Sequence, residues 1–586
     1  MKQIKTNKNF FNPIIASSLA LVLNTSFAQA QCADSKSSQT PIICAGTKDS
    51  ETKKDGLLTW NATGAPSQAY IPMYNNGPDN VITKLIFKFD SSGTDLQKDG
   101  SLGATSTLKA GSDINSIILK GNGKGIQMAA AGNGTLVANF NNQSNKTFTL
   151  DLSDAPDGVA SFLGNIEIVN QGNKDNNSNV FTATFNHDFQ GKIFIKDAAG
   201  NNTIKLTNGN LRGDITTQQT NSTSENKLTI DFTNNDIQKQ ANTTGRIIGN
   251  IYTAQNDKNN TTITIKGGGL MGDIKLGGSN NGSPDTGTLT VNFENGAVMK
   301  GNIGNSKNPS EANDFQKKVI TFEDATTQRD GSDNFVLEGN ITSYGTGPVN
   351  DIDKSNGNHV TFKMGSMQGN IRAEVGSGGR GAYNKVNFSG MNQSLSGISG
   401  NKGTITSLGG INEISFTGMG TRTVKADIIS NAYIFAVDAQ SYNQITFGNS
   451  DSDSDSEMDV TNILEGDIKA VSGYAPLGNK VTFYNGNSTI TGNIMTTGGS
   501  NSIIFGSNDA KAKATSTNTI TGNITANGGT NKISMNGTNT IAGTITAGPN
   551  GNQGINYFYF SGDKTTISKA TDAKASDISI IAHNRD

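Results

Sequence analysis

The feature that most constrains this chain is a short unit written over and over. Its cleanest copy is Asn518-Thr-Ile-Thr-Gly-Asn-Ile-Thr-Ala-Asn-Gly-Gly-Thr-Asn-Lys-Ile-Ser-Met535. A near-twin runs from Ser488 to Phe505, and a looser copy from Asn539 to Phe560. The unit reads as a first strand (I-x-G-[N/D/T]-I), a Gly-Gly turn and a second strand (N-x-[I/V/L]-x-[F/M]). Each beat alternates apolar and polar side chains, the period of a strand with one buried face. The apolar members are β-branched or Phe, which suit a half-buried pleated surface. The first beat recurs fourteen times, from Gly164-Asn-Ile166 to Gly543-Thr-Ile545, at a mean step of about 29 residues. Periods of roughly 20–50 residues belong to solenoids, propellers or arrays. The shortest step, Gly522 to Gly543, is too small for the four strands of a propeller blade.

One such coil cannot bury its apolar face alone. Coils stacked at about 4.8 Å pair their edges and bury Ile on Ile and Phe on Phe. The expected fold is therefore all-β: an elongated right-handed parallel β-helix with an irregular N-terminal cap. Roughly 16–18 coils make a rod about 75–90 Å long. Ile494, Ile503, Phe505, Ile524 and Ile533 are expected in the interior ladders. Asn at a fixed turn position stacks likewise, amide on amide, and Gly supplies positive φ at corners. Composition fits a thin core rich in turns, with 70 Gly, 33% hydrophobic and 16% charged residues in 586. A net charge of -2 gives no basic field for nucleic acid.

Lys2, Lys5 and Lys8, the apolar run Phe10 to Leu23 and the small-x-small site Ala28-Gln29-Ala30 read as a secretory signal peptide cleaved after Ala30. Cys32 and Cys44 follow it. They pair as a disulfide in an oxidising compartment, or remain free thiols. Gln31 stands where a lipoprotein signal needs a small residue. The chain divides into the signal peptide (1–30), an N-terminal lead-in or cap (31–80), the β-helix (81–581) and a tail cut short at 582–586. The signal directs export to the cell surface, outer membrane or extracellular space, through the periplasm. The longest interruption of the repeat lies between Ala426 and Gly466.

Catalytic signals are sparse. His187-Asp188, His359 and His583 fall in different repeats, while a nucleophile–His–Asp site needs its members on one patch. The run Asp451 to Glu457 alternates carboxylates that could hold calcium through oxygen, but it lacks the EF-hand register and reads as a solvated loop. Arg212-Gly213-Asp214 is an RGD tripeptide that coincides with the repeat's first beat. Asp214, Asp273, Asp427 and Asp467 share one repeat position, which makes them turn residues before they are catalysts. No catalytic residue, metal ligand or cofactor is expected.

The signal peptide and the Asn/Gly/Thr-rich G-N-I-x-x-x-G-G-x-N-x-I-x-F repeats together resemble autotransporter passengers. More narrowly they resemble the vacuolating-cytotoxin-like β-helix repeat family of Helicobacter and related Campylobacterota, over about residues 81–581. That resemblance implies passage through an outer-membrane translocator, a partner expected for this chain. No run of alternating strands with aromatic girdles, the mark of such a barrel, follows the repeat here. The expected function is a secreted or surface-displayed passenger acting by binding, as an adhesin or host-interaction factor, without catalysis. Its partner is a host-cell surface protein or glycan, and self-association through the open C-terminal end is a further expectation. The alternatives are a β-helical polysaccharide-acting enzyme and a subunit of a pore-forming toxin.

Overall fold

The computed structural model describes residues 42–43, 57–61, 73–74 and, with breaks at turns and insertions, 83–568. Ala28, Ala30, Cys32, Cys44, the run Asp451 to Glu457, the strand expected at 578–581 and His583 lie outside the described residues.

Each coil carries three strands, one in each of three parallel sheets. The minimal coil shows the order. Thr517–Thr521 lies in a sheet of short strands. A two-residue corner, Gly522-Asn523, leads to Ile524–Ala526 in a second sheet, built on the repeat's Ile. A turn then leads to Asn531–Met535 in a third, whose strands mostly end in Phe. Thr538–Ala542 then stacks on Thr517–Thr521 in register, one coil on. The sequence reading counts two strands per coil, and the structure has three. The I-x-G-N-I beat is two strands because Gly522 adopts φ 141°, which turns the chain between sheets.

The Phe sheet holds seventeen strands, running from Leu57–Asn61, through Ser116–Lys120, to Asn556–Phe560. No pairing joins its first strand to its last, so it is an open stack. Residues 57–61 of the lead-in thus supply the first strand of this sheet. At the N-terminal end of the Ile sheet the chain folds back on itself. Lys84–Phe89 pairs with Thr135–Asn139 on one side and Thr105–Ala110 on the other, and Leu96–Asp99 closes that end as an antiparallel strand. Among the described residues the only helical element is a 3-10 turn, Ile398–Gly400.

The core is one continuous cluster along the stack. All fourteen repeat Ile residues, from Ile166 to Ile545, are buried. Phe rings stack coil on coil from Phe293 to Phe505, with centroids 4.4 to 5.2 Å apart and planes within 10°. That offset-parallel arrangement adds about 0.5–1.5 kcal/mol per pair beyond area burial. Ile494, Ile503, Phe505, Ile524 and Ile533 all point into this core.

The corner between the short and Ile sheets explains why the repeat needs Gly. Its glycines adopt φ between 139° and 157°. A Cβ on Gly522 would lie 2.0 Å from the carbonyl oxygen of Gly492 one coil back, well inside contact distance. Gly403 and Ala426 break the pattern. Before Gly403 the corner is lengthened by residues 397–402. At Ala426 the chain crosses the corner without turning, as the single strand Thr421–Asn431, whose first half pairs in the short sheet and second half in the Ile sheet.

Candidate functional site

Two hydrogen-bonded columns run along the stack. The outer one follows the corner Gly. Asp214 Oδ1 accepts the backbone N–H of Asn250 (2.9 Å), and Asn250 Oδ1 accepts that of Asp273 (2.9 Å). Asp273, Asn302, Asn340 and Asn370 continue it, with Nδ2 adding a second bond at 2.8–3.1 Å in the Asn coils. Asp427 and Asp467 repeat the same contact. The recurrent carboxylates are therefore corner ties between coils.

The inner column is buried at the start of each Phe-sheet strand. Asn358, Asn384, Asn412, Asn443, Asn479, Asn501, Asn531 and Asn556 pass Nδ2–H to Oδ1 down seven steps of 2.8–2.9 Å. The second amide hydrogen goes to a backbone carbonyl of the Ile sheet, as from Asn443 to Lys469 (2.9 Å). Aligned amides polarise one another and leave an oxygen end toward the N-terminal coils. Asn358 Oδ1, the leading acceptor, has no hydrogen-bond partner among the described residues. In register with Asn358, one coil ahead, stands a fully buried lysine, Lys318.

The short sheet repeats the arrangement. Asn462 donates to Ser488 Oγ (3.1 Å) and Asn518 to Asn539 Oδ1 (3.0 Å). In register ahead of Asn462 is Arg422, which is 3% exposed. Its guanidinium donates to Asn462 Oδ1 (3.1 Å), Asn485 Oδ1 (3.0 Å) and the Gly418 carbonyl (2.6 Å). Burial pulls its pKa down to about 10. The short-sheet column therefore ends on a buried cation at its oxygen end, and a buried lysine stands in register ahead of the Asn358 column. Neither cation was legible as special, since single Lys and Arg residues are common on outward strand positions.

The sequence-level candidates do not converge. His187 lies 3.0 Å from Asp157, while His359 stands edge-on to Tyr383 in a distant coil. Arg212 donates to Asp188 (2.7 Å), and Asp214 is a corner tie, so the RGD tripeptide is part of the stack and not a loop tip. A cluster the sequence did not flag is Glu413, bonded to the Tyr383 hydroxyl and 3.4 Å from that of Tyr442. Burial, with Glu413 beside it, pushes the Tyr442 hydroxyl up to about 12. Among the described residues, no group of three or more His, Cys, Asp or Glu gathers into a metal site, and no helix is long and apolar enough to cross a membrane.

The chain's extra length enters at chosen places. From Gly164 on, the short-to-Ile corner stays within two residues in every coil but one, where Gly397 to Lys402 intervene. The long insertions enter at the two turns that flank the Phe sheet, as at 304–314, 323–334, 346–356 and 506–516. The interruption between Ala426 and Gly466 is two insertions, 432–441 and 448–460, on either side of the single strand Tyr442–Phe447. Comparison with protein-family models, with curated proteins and with solved structures finds no match.

Proposed function

We propose that this protein is an exported passenger of the autotransporter type that works by binding, as an adhesin or host-interaction factor at or beyond the cell surface, without catalysis. The observation that carries the reading is the placement of the insertions. The scaffold repeats with little change, and the residues in excess of it flank one sheet. Loops set on a rigid scaffold are where recognition residues concentrate. The signal peptide and the repeat's resemblance to vacuolating-cytotoxin-like passengers support export. The binding partner on this reading is a host-cell surface protein or glycan.

The test is a loop-exchange variant of the mature chain. Residues 432–441 would be replaced by Gly409-Gly410, and 448–460 by Tyr484-Asn485-Gly486, the short turns of neighbouring coils. Labelled protein would be applied to cultured epithelial cells and to protein and glycan arrays. The expected outcome is retained β-circular dichroism with at least tenfold weaker binding. Equal binding by the variant, or release of sugars from a polysaccharide panel by the native chain, would overturn the proposal.

A further inference from the structure

The outward side of the short sheet changes character toward its C-terminal end. Four successive coils read Asn487–Thr491, Thr517–Thr521, Thr538–Ala542 and Lys564–Ser568, in register and without a bulge. Their alternate residues point out. Thr489, Thr519, Thr540 and Thr566 form a central column, in which the first three are half-buried and Thr566 is exposed. Thr517 and Thr538 stand exposed on one side, Thr491 and Thr521 on the other. None of these hydroxyls makes a hydrogen bond within the described residues, and the Ser and Asn between them turn inward. Farther back the same sheet presents Arg212, Met271, Lys300 and Glu338 at one column, so the threonine field belongs to the last coils alone.

The field is a two-dimensional lattice. Its hydroxyls repeat every ~4.8 Å from coil to coil and every ~6.6 Å along each strand. The β-branched side chain has few rotamers, so each methyl and hydroxyl is held in place before any contact forms. Ordering such a face on binding costs little. The interior of the field is uncharged; Glu465 lies at its N-terminal border and Lys564 at its C-terminal one. A charged partner finds nothing there to pair with.

Size narrows the occupant further. The field is three coil steps tall and two pleat steps wide, about 200 Å². A stable protein interface needs about 800 Å² per partner. A second copy or another folded protein is therefore not what this face alone can hold. A sugar polymer would be met by aromatic stacking, and the outward tyrosines of the last coil, Tyr557 and Tyr559, belong to the Phe sheet instead. The remaining fit is a flat, uncharged surface that repeats its own hydrogen-bonding oxygens on the same two scales, with room for methyl groups between them. We propose that the threonine face binds ice, through an ordered first layer of water held between its hydroxyl rows. This goes beyond the binding reading above and stands independently of it.

The test uses the mature chain in a slowly growing ice hemisphere, with uptake read by fluorescence and ice-recrystallisation inhibition measured alongside. The expected result is enrichment in ice over an inert protein of similar size. Thr519→Lys and Thr540→Lys should cut uptake at least fivefold with an unchanged circular dichroism spectrum. Thr446→Lys, on the outward side of the Phe sheet, should leave it intact. Thr521→Lys, at an exposed flank position, replaces the central variants if they fail to fold. Exclusion of the native chain from ice would overturn the inference, as would equal uptake by the variants. Adsorption to microcrystalline cellulose in place of ice would also overturn it and assign the face to a polysaccharide.

Discussion

At the scale of single residues, two positions show how little freedom the stack leaves. Gly522 has φ 141°, and the site of its missing Cβ lies 2.0 Å from the Gly492 carbonyl oxygen. Gly400 has φ 71° with nothing within 4 Å of the same site. Gly400→Ala should therefore cost only the backbone conformation, about 1–2 kcal/mol. Gly522→Ala carries that kind of strain and must also push two coils apart. It should cost clearly more, and chemical denaturation of the two variants measures the difference. Equal losses would mean that the coils can separate locally at no cost. Arg422 poses the opposite case, a buried charge with no carboxylate beside it among the described residues. Arg422→Met removes the cost of desolvating the charge and strands Asn462 Oδ1 and the Gly418 carbonyl, while the exposed Asn485 turns to water. Each stranded acceptor costs about 1–3 kcal/mol. The acceptors outnumber the cation they served, so a net loss of stability is expected. A variant with an unchanged melting temperature would show that water replaces the guanidinium.

At the scale of the element, the ladders decide stability, and they differ in how visible they are from sequence. The Ile and Phe ladders were plain, because one apolar residue at a fixed repeat position has no other place to go in a stack. The outer Asn column is legible at its turn position, since a short amide both gives and accepts along a column, while the buried inner one lies within the Phe-sheet strands. The third sheet was not foreseen. Its strands are two to five residues long, and nothing in I-x-G-N-I says that Gly turns the chain; the turn follows from the positive φ and from the carbonyl packed against the missing Cβ. The cationic heads of the columns were equally hidden, because register across insertions of different length places Lys318 on Asn358 and Arg422 on Asn462. Register also builds Glu167's site, where Lys196 reaches it at 2.8 Å from the adjoining strand and Lys84 at 2.8 Å from across the intervening strand Thr135–Asn139. Burial raises its pKa, but the two lysines outweigh that and hold it below the ordinary 4.5. A carboxyl with a lowered folded pKa adds stability above its unfolded pKa and loses it as pH falls through the folded value. Glu167→Gln should thus lower the melting temperature near pH 7. Native and variant proteins should converge as pH drops below about 4.5. Curves that stay parallel down to pH 3 would remove Glu167 from the acid response.

At the scale of the whole molecule, a stack of coils should behave as a one-dimensional chain of interfaces, each coil touching only its neighbours. The repeat offers a direct way to ask whether this holds. Deleting residues 517–537 removes one complete 21-residue coil and joins Ser516 to Thr538. Thr538–Ala542 then meets Asn487–Thr491, with Asn539 against Ser488 and Ile541 against Ile490 in the same register that Asn518 and Ile520 now occupy. The Ile sheet closes with Ile545 on Ile494, and the Phe sheet with Asn556 on Asn501, so every ladder survives one step shorter. Nearest-neighbour stability predicts a folded rod about 4.8 Å shorter, with the β-spectrum kept and the melting temperature little changed. Deleting only 517–526 removes the short and Ile strands but leaves Asn531–Met535 with no chain path in register, and that variant should aggregate. Scattering and thermal melts of the pair distinguish the outcomes. If the full-coil deletion collapsed as completely as the partial one, the stack would be a single cooperative body, and the insertions beside the Phe sheet would then be bound to the scaffold's energetics as well as carried by it.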